Sequence, residues 1–386
     1  MTRRRWWWVP AAVVVALVVG IILGRDAFSA QTAAERQVKT VMSLVAQNYY
    51  RHINTNKLTD RGLETAIASL DPYSHYYPPA QYKVFQQETN PQVTGIGVQV
   101  GSQPVHGGME VEEVFRGSPA ANAGLTHGDI IVAVDGTSLK GKTLTQSSKL
   151  IQGTAGTGVT LTIRHGSEEH TTRIVRQTVT VPVASAKLLH YRGHRIGYLS
   201  FTQFTEGSAS QLRADVREML AEHAQGLILD LRDNGGGLLE QAVGVASIFI
   251  EDGTIVTTKG RNQPTHVYLA KGNAIAPRVP LDVLVNHGTA SSAEIVTAAL
   301  KQRGRATIVG THTYGKGVFQ EIQPLSGGGA LDITVGEYFT PDGRNLGGGG
   351  ARRGTGITPN VHAPTNARNP IPALRAAERV LLGKIG

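Results

Sequence analysis

Apolar residues recur along this chain with three different periods, one after another. The first pattern is an uncharged apolar run of 18 residues, Trp6 to Leu23, bounded by Arg3, Arg4 and Arg5 before it and by Arg25 and Asp26 after it. As a helix that run would be about 27 Å long, close to the hydrocarbon thickness of a bilayer. From Thr32 to about Gln86 the spacing turns helical, with Val38, Val41, Met42, Leu44 and Val45 and then Leu63, Ala66, Ile67 and Leu70 falling on common faces. Asp71-Pro72-Tyr73 and Tyr77-Pro78-Pro79 punctuate its end.

From about Pro91 to Thr180 the period shortens. Ile96–Val100, Met109–Val114, Ile130–Val134, Val159–Arg164 and Thr171–Val175 read as strands between Gly, Pro and Asp turns. Short helices fit Ala120–Ala123 and Leu144–Gln152. Beyond Val181, the apolar runs Gly226–Leu231, Leu281–Val285 and Ala306–Val309 have the character of buried strands. Helical patterns at Leu238–Phe249 and Ser292–Gln302 lie between them, a β-α-β-α-β order that predicts an α/β core with both sheet faces covered. The fold class expected is therefore α/β, built as an α+β multidomain chain.

Composition narrows the function. With 386 residues, 40% apolar and 17% charged, the chain can build two or three cores. The absence of cysteine removes disulfides, a thiol nucleophile, thiolate zinc sites and iron–sulfur clusters together. The net charge of +9 is scattered apart from Arg3-Arg4-Arg5 and Arg352-Arg353, with no basic helix carrying aromatics, so no nucleic-acid partner is expected. A basic surface facing an anionic membrane accounts for the charge equally well.

The arginines before Trp6 should stay in the cytoplasm, which makes 1–26 a single-pass membrane anchor and the rest extracytoplasmic, whether periplasmic or extracellular. A cleaved signal peptide fits less well. Its apolar core would be unusually long, and the site around Phe28-Ser29-Ala30 carries a bulky residue where a small one is needed.

The middle block carries Thr94-Gly95-Ile96-Gly97-Val98, then Ser118-Pro119-Ala120, Ala123-Gly124-Leu125 and the run from Gly128-Asp129-Ile130 to Val134-Asp135-Gly136. These residues resemble a PDZ domain, a β-sandwich-like module. Gly95 and Gly97 flank a loop whose amides can converge on a carboxylate, and a strand beginning at Ile96 would offer an open edge to an extended peptide. The resemblance implies that Gly95, Ile96, Gly97 and Val98 bind free C-terminal tails.

Three segments of the last block carry candidate chemistry. Asn286-His287-Gly288-Thr289-Ala290-Ser291-Ser292-Ala293-Glu294 puts a hydroxyl on a strand-to-helix turn, where free helix N–H groups could stabilise an oxyanion. The structural reading of Ser291 with Glu294 is a capping box. Gly310-Thr311-His312-Thr313-Tyr314-Gly315-Lys316-Gly317 approaches a phosphate-binding loop, yet Gly317 stands where a magnesium-binding hydroxyl should be and Val318–Gln323 reads as a strand rather than a helix. A lysine buried there could instead lose its proton and act as a general base. Asp230-Leu231-Arg232-Asp233-Asn234-Gly235-Gly236-Gly237 brings backbone amides to a strand-to-helix junction, as a tight turn or as an anion site.

Together with Leu331-Asp332-Ile333-Thr334-Val335-Gly336-Glu337-Tyr338-Phe339-Thr340-Pro341-Asp342-Gly343-Arg344, with Asp71-Pro72-Tyr73-Ser74 and with Gly356-Ile357-Thr358-Pro359, these segments resemble the carboxyl-terminal processing peptidases, the S41 tail-specific serine proteases. The likeness runs from about Thr32 to Pro359 and implies a protease core of the ClpP/crotonase-like kind. It makes Ser291 the nucleophile, Lys316 the general base and Gln320 its orienting partner. The amide of Gly236 or Gly237, with that of Ser292, would form the oxyanion hole. The 25 positions from Ser291 to Lys316 fit the family, while Thr289-Ala290-Ser291-Ser292-Ala293-Glu294 departs from the Ser-Ala-Ser-Ala-Ser-Glu more usual around its nucleophile. It also divides the chain into an anchor (1–26), a helical segment (31–90), a PDZ domain (91–180) and a serine protease domain (181–386).

The expected activity is acyl transfer on protein substrates with free C-termini, cleaving near those termini, with no metal and no cofactor. No His-Glu-x-x-His occurs, and a triad through His287 lacks a Gly-x-Ser-x-Gly elbow. The rival readings are an inactive membrane-anchored PDZ scaffold and a nucleotide hydrolase. The helical segment offers a surface for a homodimer.

Overall fold

The structure, a computed structural model, describes residues 32–89, 92–101, 104, 106–349, 351, 353–364 and 371–385. The expected anchor at Trp6–Leu23 lies outside the described residues. Among those described, no helix is long and apolar enough to cross a membrane. Contacts divide the chain into two units that meet between Ala66 and Ile67.

The first unit holds α1 (Ala33–Asn48) and most of α2 (Thr55–Ala68). Thr32 caps α1 through a reciprocal box: its hydroxyl accepts from the Glu35 N–H at 3.2 Å, and the Glu35 carboxylate accepts from the Thr32 N–H at 2.9 Å. No residue of either helix is buried, and Val38, Val41 and Leu44 are all exposed.

The helical run expected to reach Gln86 is interrupted by β1 (His75–Tyr77) before α3 (Pro79–Thr89). The reason is tertiary: β1 pairs antiparallel with a strand at Ala330–Asp332, more than 250 positions away.

The middle block contains β2 (Gln92–Gly95), β3 (Val98–Val100), β4 (Met109–Val114), α4 (Pro119–Asn122), β5 (Ile130–Val134), β6 (Thr137–Ser138), α5 (Leu144–Ile151), β7 (Gly158–His165), β8 (Glu168–Val175) and β9 (Gln177–Thr180). Its main sheet runs β3-β4-β5-β7-β8, so β3 is an edge strand. Inward alternation on β7, where Val159, Leu161 and Ile163 are buried, builds a core with Ile96, Met109, Val111 and Ile131. The strand expected from Ile96 begins at Val98 instead. Gly97 takes φ +80, and the Ile96 carbonyl accepts from the Ala120 N–H of α4 while the Gly97 carbonyl accepts from the Phe115 N–H just past β4, so Ile96 is tied to α4 rather than to a ladder.

The last block is built on a six-stranded sheet ordered β10 (Ala184–Tyr191), β11 (His194–Phe201), β12 (Gly226–Asp230), β15 (Leu281–Val285), β16 (Thr307–Gly310) and β19 (Val361–His362). Only β10 is antiparallel; the other five run in one direction. One face buries Leu227, Leu229 and Val283 under α6 (Ser208–Ala221), α7 (Leu239–Phe249) and α8 (Ser292–Gln302). The other buries Ile228, Leu284 and Val309 under α9 (Ile371–Ile385). Strands buried on both faces explain the unbroken apolar runs in the sequence. A second sheet joins β1, β13 (Thr254–Lys259), β14 (His266–Leu269), β17 (Val318–Pro324) and β18 (Ala330–Phe339).

Candidate active site

In parallel sheets, functional loops collect at the carboxyl ends of the strands. Here the loops after β12, β15 and β16 meet, and they are the three segments that stood out in the sequence. Leu231 N–H donates to the Leu284 carbonyl at 2.9 Å and Thr289 Oγ1 to the Leu231 carbonyl at 2.7 Å. Asn286 Oδ1 accepts from the Asp233 N–H while Asn286 Nδ2 donates to Asp233 Oδ1, both at 2.9 Å. Ala290 N–H reaches the Asn234 carbonyl at 3.0 Å, and Tyr314 N–H reaches the Thr289 carbonyl at 2.9 Å. The turns are thereby fixed to one another, not only to their own strands.

Ser291 stands at the head of α8 with φ +54 and ψ −121, a conformation that costs an L-residue about 1–3 kcal/mol and persists only where neighbours enforce it. The enforcing group is Glu294, which is fully buried. Its carboxylate accepts from the N–H of Ser291 at 3.0 Å, of Gly315 at 2.7 Å and of Lys316 at 2.9 Å, and from the Thr313 hydroxyl. Burial raises the Glu294 pKa, and these four donors oppose the rise. The pairing with Ser291 is the expected capping contact. The same carboxylate also brackets the backbone of Lys316, a contact across 22 positions that no local pattern reveals.

Lys316 is half-buried, and desolvation lowers its pKa from the ordinary lysine value. Asp332, Asp71 and Glu294 pull in the opposite direction. Its Nζ donates to Gln320 Oε1 at 2.7 Å and lies 4.9 Å from the centre of the Tyr73 ring. Among the described residues no hydrogen bond joins it to Ser291; the two are connected through Glu294. His287 is exposed and likewise makes no hydrogen bond to Ser291.

The glycines after β12 divide their work. Gly236, at φ +100, donates its N–H to Asn234 Oδ1 at 2.9 Å. A Cβ there would come within 2.8 Å of Ser291 Cβ and 2.9 Å of the Ser292 nitrogen. The Gly237 carbonyl accepts from Ser292 Oγ at 2.7 Å. The N–H groups of Gly237 and Ser292 have no acceptor among the described residues. Ser292 is buried and its hydroxyl is committed to Gly237, so of the two adjacent serines only Ser291 is partly accessible. The loop after β16 leads into β17 and not into a helix, which removes the geometry a phosphate-binding loop requires.

Other groups at the site carried no role in the sequence reading. Asp71, Tyr73 and Ser74 reach Lys316 and Thr334 from the stretch before β1, and Asp332 faces the lysine from β18. Asp71-Pro72-Tyr73-Ser74 was a visible motif, but nothing local to it points at Lys316.

In the PDZ-like block, Gly95 pairs with Gln177 in the β2–β9 ladder, Ile96 is buried in the core, and Val98 opens the edge strand β3.

Comparison with known proteins places these features. Residues 195–363 match Peptidase family S41 and residues 110–165 match a PDZ domain. The carboxy-terminal-processing protease of Bartonella bacilliformis is 36% identical over 329 residues, covering 83% of this chain and 73% of that protein. Carboxyl-terminal-processing peptidase 2, chloroplastic, of Arabidopsis thaliana is 34% identical over 300 residues, 75% of this chain and 58% of the plant protein. The solved structure of the photosystem II D1 C-terminal processing protease superposes with a TM-score of 0.51 at 28% identity, covering 91% of this chain and 98% of that one.

Proposed function

This chain belongs to peptidase family S41, the carboxy-terminal-processing proteases, and on that premise we propose that it cleaves proteins near their C-termini with Ser291 as nucleophile and Lys316 as general base. The observation that carries the proposal is the Glu294 bracket, which holds a strained serine and a desolvated lysine in one frame. Neutral Lys316 takes the Ser291 proton, and the alkoxide adds to the peptide carbonyl. The tetrahedral oxyanion is received by the amides of Gly237 and Ser292, because Gly236 has already given its N–H to Asn234. Collapse expels the amine, which takes the proton carried by Lys316, and leaves an acyl-enzyme; water, deprotonated by the again neutral Lys316, hydrolyses it, and the proton returns to Ser291. The serine-to-lysine contact closes when substrate excludes water, since apo sites commonly leave such contacts long.

The PDZ-like block delivers the substrate. An extended tail adds to the free edge of β3, with its carboxylate on the amides of Ile96, Gly97 and Val98; Gly95 serves the turn, being held in the β2–β9 ladder. Trp6–Leu23 anchors the chain with its catalytic part outside the cytoplasm. The exposed apolar residues of α1 support a homodimer.

The test uses the full chain and an unstructured polypeptide with an apolar C-terminus, beside Ser291→Ala. Cleavage should fall at least about a thousandfold in the variant, as for other serine nucleophiles. Amidating the substrate's C-terminus should raise KM. Equal cleavage by both proteins would end the proposal.

A further inference from the structure

Resting on the reading of Lys316 as the base, we propose that Asp71 and Thr334 are positioning residues that fix which way the Gln320 amide faces, and so keep the Lys316 lone pair available for Ser291. The argument is one of hydrogen-bond polarity. Lys316 Nζ donates to Gln320 Oε1 at 2.7 Å. On the far side of the amide, Gln320 Nε2 donates to Thr334 Oγ1 at 2.9 Å, and Thr334 Oγ1 donates to Asp71 Oδ1 at 3.3 Å. A carboxylate can only accept, so the chain of donors has one direction, from lysine through amide and hydroxyl to Asp71.

That direction matters for a neutral lysine, which has two N–H bonds and a single lone pair. With the amide oxygen facing it, the lysine spends an N–H on Gln320 and keeps its lone pair. With the amide reversed, the NH2 group would point at the lysine and occupy the lone pair a base needs. The two orientations have nearly the same shape, so packing alone cannot choose between them. The acceptor at the end of the chain can.

The end of the chain is itself built to stay in place. Asp71 accepts from the backbone N–H of Tyr73 at 2.8 Å and of Ser74 at 2.9 Å, and from the Ser74 hydroxyl at 2.8 Å. Ser74, fully buried, accepts from the Thr334 N–H at 3.1 Å, and β1 then pairs residue for residue with β18 from His75 to Tyr77. The stretch Asp71–Tyr77 thus bolts onto the strand that carries Thr334. The groups facing the lysine are Asp71 and Tyr73 from this stretch, Asp332 from β18 and Glu294 from α8; His75 offsets Asp332.

Two isosteric variants of the full chain test the relay. Asp71→Leu removes the obligatory acceptor, which an asparagine Oδ1 would still supply, and Thr334→Val removes the hydroxyl; Thr334→Ser keeps it. With kcat and KM followed between pH 6 and 10, the first two should lose roughly 10- to 100-fold in kcat, the scale of a misplaced base, with KM nearly unchanged. Thr334→Ser should retain most of the activity. Asp71→Leu should also move the acid limb of the profile to lower pH, because one carboxylate favouring the ammonium is gone, whereas Thr334→Val should leave the limb in place. Wild-type kcat in both isosteric variants, or a loss seen only in KM, overturns the relay even if Lys316→Ala is inactive. Full activity in Lys316→Ala sinks the base assignment and the relay with it. Should Asp71→Leu fail to fold, the Thr334→Val and Thr334→Ser pair decides alone.

Discussion

Lys316 sits between opposing influences: burial drives its ammonium towards neutrality, while Asp332, Asp71 and Glu294 favour the charge. Burial wins, so the lysine's midpoint lies below its ordinary 10.5. Because only the neutral form can take a proton, kcat/KM should rise with pH along a limb centred below that value. Lys316→Ala should lose about 10²–10⁴-fold, the usual contribution of a general base, while the protein remains folded. A pH–rate profile on both proteins checks this. Gly236 makes a second prediction at this scale. Its positive φ and its closeness to Ser291 leave no room for a Cβ, so Gly236→Ala should displace Ser291, the proposed nucleophile, and abolish cleavage, whereas Gly235→Ala, whose Cβ meets nothing, should remain active. Ser292→Ala frees the Gly237 peptide and should lower kcat roughly tenfold or more with KM retained, as loss of oxyanion alignment does.

The elements show what the sequence can and cannot reveal. Leu281–Val285 and Gly226–Asp230 were legible because strands buried on both faces need no alternation, and the helix at Ser292–Gln302 because its capping residues mark its start. The glycine turn, Ser291 and Lys316 were legible through motif likeness. By contrast β10, β11, β13, β14, β18, α6 and α9 gave no decisive pattern: β10 and β18 are half-exposed along most of their length, and β18 finds its partners β1 and β13 far away in the chain. Thr334 and Asp71 are 263 positions apart, and their hydrogen bond exists only because β1 pairs with β18. The same holds for Asp282 on β15, buried and bonded to Lys384 of α9. Desolvation raises the Asp282 pKa to about 6 against the opposing pull of Lys384, and its Oδ2 has no partner. A folded-state pKa above the unfolded 3.8 means that this group's stabilisation is present below 3.8 and lost as pH rises through about 6. Asp282→Asn should therefore gain stability relative to wild type between pH 4 and 7, by at most about 3 kcal/mol. Paired thermal melts at the two pH values would show it; a widening deficit in the variant would contradict it.

Across the whole molecule, the chain puts an apolar run, an exposed helical pair, a PDZ domain and an S41 peptidase domain in series. The arginine-flanked run predicts that full-length protein stays with membranes through carbonate washing and is digested by protease added outside the inner membrane. Release by carbonate would argue for a cleaved leader. The β3 edge and the loops at the head of α8 belong to one compact unit, so the proposed tail capture and cleavage would share a scaffold. The measurement closest to the central claim is the intact mass, followed by peptide mapping, of the full chain after exposure to a serine-directed phosphonylating reagent at pH 8. A single adduct on Ser291, formed at least about a hundredfold more slowly in Lys316→Ala, is the predicted result. An adduct on Ser292, or labelling of Ser291 at the same rate without Lys316, would contradict it.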